Sequence, residues 1–328
     1  MISSQNSENH RDCSQAVRAG MEITEGIEAE IKECHQLCPL KRVREFLCFA
    51  ALYLTGMVLT AHSEFFSLIC VLGIILMGVA LNSLGIFIHE GLHGVLAKHP
   101  VINGFVGFLC GLPLLVSASA YRVTHRDHHL EFGQKLDYGT YRQHLEKSQY
   151  VWIAYCSQLF LGSILYILFI PLLAFWSASI RERSIILMEY AVIFVLAGWM
   201  VWNIPANGIL LYWFYPSLIL MVLSNIRGLA SHALGDTHDI YLSSRTVKSS
   251  PLVSMLFLHE NYHLEHHLFP QVPSYHLKRV HELVWKRLPK ALYAKSYTKF
   301  LIDFLQAARN LELAPLGMVQ PAKGEVGS

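Results

Sequence analysis

The chain of 328 residues is 53% hydrophobic and only 15% charged, and its mean hydropathy is +0.36. A charged fraction this far below that of soluble domains predicts an integral membrane protein. A net charge of +2 gives no electrostatic footprint for nucleic acid, and an odd count of seven cysteines argues against a complete disulfide framework.

The chain begins with a polar segment, residues 1–44. It shows no positively charged start followed by an apolar run, so we expect no cleaved signal peptide and place this segment on the cytoplasmic side. Apolar stretches then fall at residues 46–62, 66–88, 101–118, 150–176, 185–202 and 207–226. We take residues 45–290 as a membrane domain and residues 291–328 as a C-terminal tail.

Three histidine clusters lie along this chain. They are His89 to His93 (HEGLH), His125 to His129 (HRDHH) and His263 to His267 (HLEHH). Residues at i, i+3 and i+4 share one helix face, so each cluster can aim its imidazoles at a common point. Eight imidazoles exceed what one zinc ion uses, which indicates a site for more than one metal ion.

Ligands of one site must emerge on the same side of the membrane. The stretch 101–118 lies between the first two clusters, is short, and is broken by glycines and Pro113. We therefore expect it to form a non-crossing hairpin or an interfacial segment. Three apolar stretches separate the second and third clusters, and three crossings would place those clusters on opposite faces.

The positive-inside rule selects which stretches cross. The predicted crossings are residues 46–62, 66–88, 185–202 and 207–226. The stretch 150–176, interrupted by Pro171, would lie at the interface or dip in and return. The predicted fold is therefore an all-α integral membrane protein with about four transmembrane helices and a helical domain on the cytoplasmic face. A model with six crossings is the rival, and it would break the shared site.

Imidazole ligands suit zinc, copper, iron and nickel, but their number fits two ions with open positions for oxygen or substrate. His232 follows the last predicted crossing and is a plausible ninth ligand. Glu90, Asp127 and Glu265 lie off the ligand edge, where a carboxylate can accept the distal ring N–H of a neighbouring ligand. The alternative is that they are solvated surface carboxylates. We expect His281, like the remaining histidines outside the clusters except His232, to be a surface or structural residue.

The motifs HEGLH, HRDHH and HLEHH, with the lone histidine of RGLASH, resemble the three histidine boxes and the additional ligand of the membrane fatty acid desaturase and hydroxylase superfamily. The resemblance covers roughly residues 45–290. Carried over residue by residue, it implies the di-iron ligands His89, His93, His125, His128, His129, His232, His263, His266 and His267.

The same resemblance implies activation of O2 by two iron ions. Electrons would come from a separate protein of the ferredoxin or cytochrome b5 type, because no HPGG heme motif occurs at either end of the chain. The expected reaction introduces a double bond into a fatty acyl chain, carried by a lipid or by an acyl thioester. A hydroxylase or a carotenoid ketolase of the same superfamily is the alternative.

Two other classes of protein share part of this pattern. His89 to His93 also matches HExxH, the zinc-binding motif of metalloproteases, but an intramembrane protease would leave the second and third clusters without a purpose. A metal transporter or a heme-binding electron carrier would place its histidines within the spans. The apolar stretches here are almost free of histidine.

Overall fold

The computed structural model describes residues 19–20, 22–130, 141, 144–236 and 239–319. This part of the chain is built from helices, with one small sheet of three short strands. The predicted all-α class is thereby confirmed. The first part of the predicted N-terminal segment and the end of the predicted tail lie outside the described residues.

The first helices, in chain order, are α1 (Glu28–Cys34), α2 (Pro39–Ala61), α3 (Leu68–Leu92), α4 (Pro100–Gly111), α5 (Ala118–Leu130), α6 (Ser148–Ser177) and α7 (Ile180–Asn203). The short helix α8 (Ala206–Ile209) continues through a π-helical segment, Leu210–Phe214, into α9 (Tyr215–His232). The remaining elements are β1 (Arg245–Val247), α10 (Pro251–Leu256), α11 (His263–Leu268), α12 (Ser274–Val284), β2 (Leu292–Ala294), α13 (Tyr297–Asn310) and β3 (Met318–Val319).

Five helical stretches among the described residues are long and apolar enough to cross a membrane. They are α2, α3, α6, α7 and the continuous stretch Ala206–His232. Their outer surfaces carry large apolar side chains, such as Leu68 at 89% and Trp202 at 90% exposure, which only a lipid environment accommodates. The chain is therefore an integral membrane protein, and all four predicted crossings coincide with such helices.

The two apolar stretches predicted not to cross differ from each other. The first is bent by 105° between Pro100–Leu114 and Ala118–His129, with Leu115 in the left-handed region at φ 57°. This bend fits either a broken span or a segment that turns back, so its non-crossing path stays a prediction. The second, α6, runs unbroken through Pro171. Its continuity rules out a dip and return within this stretch, and its interfacial position stays a prediction.

The chain divides into two compact units. The histidine unit comprises Met1–Gln36, His125–Leu159 and Ile226–Ser328, and the membrane unit comprises Leu37–Thr124 and Phe160–Asn225. Three of the four boundaries between them fall inside α5, α6 and α9, so these three helices contribute to both units.

The described residues of the histidine unit form two apolar cores. One packs Ile31 of α1 against Leu264 of α11 and Val280 of α12. The other packs Trp152, at the start of α6, against the end of α9 and against Phe304 of α13. Burying a side chain of this size contributes about 1.5–3 kcal/mol, so both cores hold the segments that carry the histidines.

A small sheet joins distant parts of the histidine unit. Strand β1 pairs in parallel with β2, with Arg245 opposite Leu292, and β2 pairs antiparallel with β3. An isolated antiparallel bridge also joins Thr246 to Tyr262, immediately before α11. The strand β1 therefore contacts the segment that leads into the third cluster.

In the membrane unit, α2 and α3 pack closely through glycine. A Cβ atom at Gly56 would lie 2.5 Å from the carbonyl oxygen of Gly73, and one at Gly73 would lie 2.6 Å from that of Gly56. Small residues allow such close approach of helix backbones in lipid. The pair brings Arg42 of α2 into an ion pair with Glu90, inside the first cluster.

Candidate metal centre

The second cluster lies on α5, whose N-terminus is held by a buried carboxylate. Ser117 precedes the helix, and its hydroxyl accepts from the backbone N–H of Ala120 at 3.0 Å. Glu189 of α7 in turn accepts from the Ser117 hydroxyl at 2.6 Å and from the backbone N–H of Ser119 at 2.9 Å. A negative charge at this end of a helix satisfies free N–H groups and favours the helix dipole.

The third cluster lies on α11, a helix of six residues that are all buried. A helix this short is unstable alone, so tertiary contacts must hold it. Glu265 supplies two of these contacts. It accepts from the Thr246 hydroxyl of β1 at 2.6 Å and pairs with Nδ1 of His281, on α12, at 2.5 Å. Asn261 adds a hydrogen bond to the carbonyl of Val247 at 3.0 Å.

His232 is the last residue of α9. The guanidinium of the fully buried Arg245 donates to the carbonyl oxygens of Ala230 and Ala233, on either side of it. The Nδ1 atom of His232 faces the carbonyl oxygen of Ser243 at 3.4 Å. The opposite ring nitrogen, Nε2, faces the other histidines of the unit.

One group of imidazoles converges around His232. His128, His232 and His267 each offer a ring nitrogen within 4.8 Å of the others. Nε2 of His232 lies 2.8 Å from Nε2 of His263 and 3.3 Å from Nε2 of His267. A single ring N–H can form a hydrogen bond across only one of these two short distances. Nitrogens bound to one metal at about 2.1 Å lie roughly 3 Å apart, so this spacing fits shared ligation.

A second group in the same unit combines the second and third clusters. His125, His129 and His266 again offer ring nitrogens within 4.8 Å of one another. Nε2 of His129 lies 3.0 Å from that of His125 and 3.3 Å from that of His266. The short helix α11 thus contributes histidines to both groups.

The first cluster lies in the membrane unit. His89 and His93 are one turn apart at the end of α3, with ring centroids 4.8 Å apart, and His89 is buried. Of the nine ligands predicted from sequence, the histidine unit therefore brings seven into two groups, and the other two form this pair.

The part of the chain that carries these histidines also matches a known protein family. The family model described as fatty acid desaturase matches residues 66–299, which include all three clusters and His232. The chain belongs to the fatty acid desaturase family. A similar protein is the sphingolipid delta(4)-desaturase DES1 of Drosophila melanogaster, 25% identical over 247 residues that cover 70% of each chain. This membership makes the chain a desaturase-type oxidoreductase with a lipid substrate.

The histidine groups of this desaturase fit a transition metal. Their donors are imidazole nitrogens, which suit iron as well as zinc and copper. Burial lowers the pKa of His267 well below its usual range, and the neighbouring rings of His129 and His263 lower it further. His267 is therefore neutral, and only a neutral imidazole has a lone pair to offer a metal.

The sequence prediction for Glu265 needs correction. Glu265 does lie off the ligand edge, but its oxygens accept from Thr246 and from His281, a histidine outside the clusters. Glu90 forms an ion pair with Arg42, which also weakens the comparison with the general base of a zinc protease.

Sequence reasoning missed four residues that hold the histidines, namely Glu189, Arg245, Thr246 and His281. One signal was available for Arg245. A charged residue within an otherwise uncharged run, Leu242 to Val247, is typical of a buried cation with backbone partners.

Proposed function

We propose that this desaturase is a di-iron, O2-dependent enzyme that introduces a double bond into the aliphatic chain of a membrane lipid. The observation that carries the proposal is the pair of imidazole groups in the histidine unit. One group is His128, His232 and His267, with His263 beside His232, and the other is His125, His129 and His266.

We propose His89 and His93 as the remaining ligands. Their support is the matching first histidine box, the burial of His89, and their placement on successive turns of α3. The ion pair between Glu90 and Arg42 fixes the helix end between them. With these two residues, each of the nine histidines of the motif set has a role.

Two iron ions held there would supply the oxidising power that removes hydrogen from an unactivated C–H bond with reduction of O2. The chain itself supplies neutral nitrogen donors, because burial disfavours the protonated form of His267. It also excludes water, since His263, His266 and His267 are each less than 10% exposed.

The name of the relative suggests the substrate class. Because the Drosophila protein is a sphingolipid desaturase, we propose a sphingolipid with a saturated chain as the first candidate. Acyl chains of glycerolipids and acyl thioesters are the second. Formation of a double bond is favoured over hydroxylation or ketolation because both the family description and the relative's name specify a desaturase.

We further propose that the histidines face the cytoplasm and receive electrons from a separate ferredoxin or cytochrome b5 type protein. The positive-inside rule supports this side, because Lys41, Arg42 and Arg44 lie at the start of α2. Removal of hydrogen with reduction of O2 to water consumes electrons, which the histidines and carboxylates of the clusters do not supply.

Two measurements test the proposal. Metal analysis of the purified chain should find about two iron ions per chain, whereas about one zinc ion would favour the protease alternative. Lipid analysis of a host that expresses the chain should find a new double bond in sphingolipids, glycerolipids or acyl thioesters. A new hydroxyl or keto group with no new double bond would contradict the proposed reaction.

A further inference from the structure

The imidazole of His281 reaches the third cluster from outside it. Its Nδ1 lies 2.5 Å from Oε1 of Glu265, whose side chain is completely buried. The other carboxylate oxygen accepts from the hydroxyl of Thr246 at 2.6 Å. Since carboxylate oxygens accept hydrogen bonds, we assign the ring nitrogen of His281 as the donor. Glu265 is thus held from two sides, by α12 and by β1.

Because of the position of Glu265 on α11, these contacts determine how the helix is oriented. At 100° per residue, His263, His266 and His267 lie on one face of the helix, and residue 265 lies on the opposite face. The helix has only six residues, and its N-cap residue, Tyr262, makes no side-chain capping hydrogen bond. The contacts of Glu265 therefore fix the rotation of the helix about its axis, and with it the direction of three imidazoles.

His281 is itself held in place. Its ring contacts the rings of Tyr262, at a centroid distance of 5.1 Å, and Trp285, at 4.8 Å. On the same helix, Leu277 and Val280 are fully buried in the core shared with α11. The donor to Glu265 thus comes from a rigid part of the unit, not from a mobile surface side chain.

We propose that His281 is a positioning residue that orients the histidines of α11 through Glu265. The part of this inference that concerns metal rests on the proposed di-iron function. The part that concerns α11 does not, because the hydrogen bonds exist in the chain alone. Partners that orient metal ligands typically change metal affinity by about 10–100-fold when they are removed.

Three variants separate this role from general stability. His281→Leu removes the donor, and His281→Asn places an amide N–H near the position of Nδ1 and should restore the contact. His276→Leu is the matched control, because His276 is another partly exposed histidine on α12, and its ring contacts Tyr275.

The first measurement is hydrogen exchange of residues 263–268 in the metal-free full-length chain. We expect exchange to be about tenfold faster in His281→Leu, and near the parent rate in His281→Asn and His276→Leu. The second measurement is the rate of iron release to a chelator from the iron-loaded chain. We expect this rate to be faster in His281→Leu and near the parent rate in His281→Asn and His276→Leu. Any fall in the thermal midpoint of the metal-free chain should be smaller than the tenfold faster exchange would require if it came from global unfolding.

Unchanged exchange in His281→Leu would overturn the proposal, and so would an equal effect of His276→Leu or a fall in thermal midpoint that matches the faster exchange. Failure of His281→Asn to restore slow exchange would also overturn it. If the parent chain binds no iron while the exchange results hold, the positioning of α11 stands and the proposed di-iron function fails.

Discussion

The guanidinium of Arg245 donates a hydrogen bond of 2.7 Å to the carbonyl oxygen of Ala230, two residues before His232. It also donates to Ala233 at 3.0 Å and, through two nitrogens, to Leu316 at 2.7 and 2.9 Å. Burial lowers the pKa of Arg245 to about 10, which leaves it charged at neutral pH. A cation at the C-terminus of α9 stabilises the last carbonyls and the helix dipole there.

We expect Arg245→Met to destabilise the chain by about 3 kcal/mol, because it leaves buried carbonyl oxygens without donors. Iron content should fall as His232 loses its fixed position. Thermal unfolding in detergent and metal analysis measure the two effects. Lys299→Met is the control, since its ion pair with Asp303 is exposed and should contribute less than about 1 kcal/mol. Equal midpoints for the two variants would refute the role of Arg245.

The two imidazole groups predict separate losses of metal. His128→Ala removes a member of the group around His232, and His266→Ala removes a member of the other group. Each should leave about one iron per chain and lower desaturation more than about 100-fold, because both ions are needed, while expression persists. His144→Ala, at an exposed position outside the clusters, should match the parent. Full activity of either cluster variant would rule out the shared site.

The carboxylate of Glu189 predicts a link between α7 and the second cluster. Glu189→Ala leaves the hydroxyl of Ser117 and the backbone N–H of Ser119 without their acceptor, which should cost about 2–3 kcal/mol. Activity should fall as well, because α5 carries three of the proposed ligands. Thermal unfolding and lipid analysis test both expectations.

Glu182→Ala is the matched control on the same helix. Glu182 belongs to an exposed capping box with Ser179, so its loss should cost no more than about 1 kcal/mol and leave activity intact. A loss of stability in Glu182→Ala as large as that in Glu189→Ala would show that Glu189 has no special role.

The sequence predicted the histidines better than the residues that hold them. Ligand spacing such as HxxHH is local, because one helix turn sets it, and hydrophobic stretches long enough to span are visible in composition. The partners of Glu265 lie 19 residues before it and 16 residues after it, at Thr246 and His281. Such pairs depend on the packing of α11 against β1 and α12, which no local pattern records.

The same limit explains why the sequence did not predict an unbroken α6. Pro171 suggested a break, but the helix continues, since neighbouring groups in a membrane protein can satisfy the carbonyl that a proline leaves free. Two ring contacts within the membrane unit indicate where α6 lies. Tyr166, in the second half of α6, lies 5.7 Å from Tyr121, and Tyr121 lies 6.4 Å from His89, measured between ring centroids.

These contacts predict that α6 does not cross. Tyr166 lies 18 residues along the helix and contacts Tyr121, which in turn lies near His89, and Glu189 of α7 binds the start of α5. Eighteen residues of helix span about 27 Å, close to the thickness of the hydrocarbon core, and we predict that α6 runs along the membrane surface. The loop at Ala178 and Ser179 should then lie on the same side as the histidines.

Glycosylation acceptor sites inserted in single loops test this topology in a eukaryotic host. We expect modification of acceptors inserted at His62 to Glu64 and at Ile204 to Pro205, and none at Ala178 to Ser179, because only lumenal loops are glycosylated. If α6 crossed, the loop at Ala178 would become lumenal and the loop at Ile204 cytoplasmic. That reversed pattern would also separate His232 from the second cluster by a membrane, and a shared di-iron site would then be impossible.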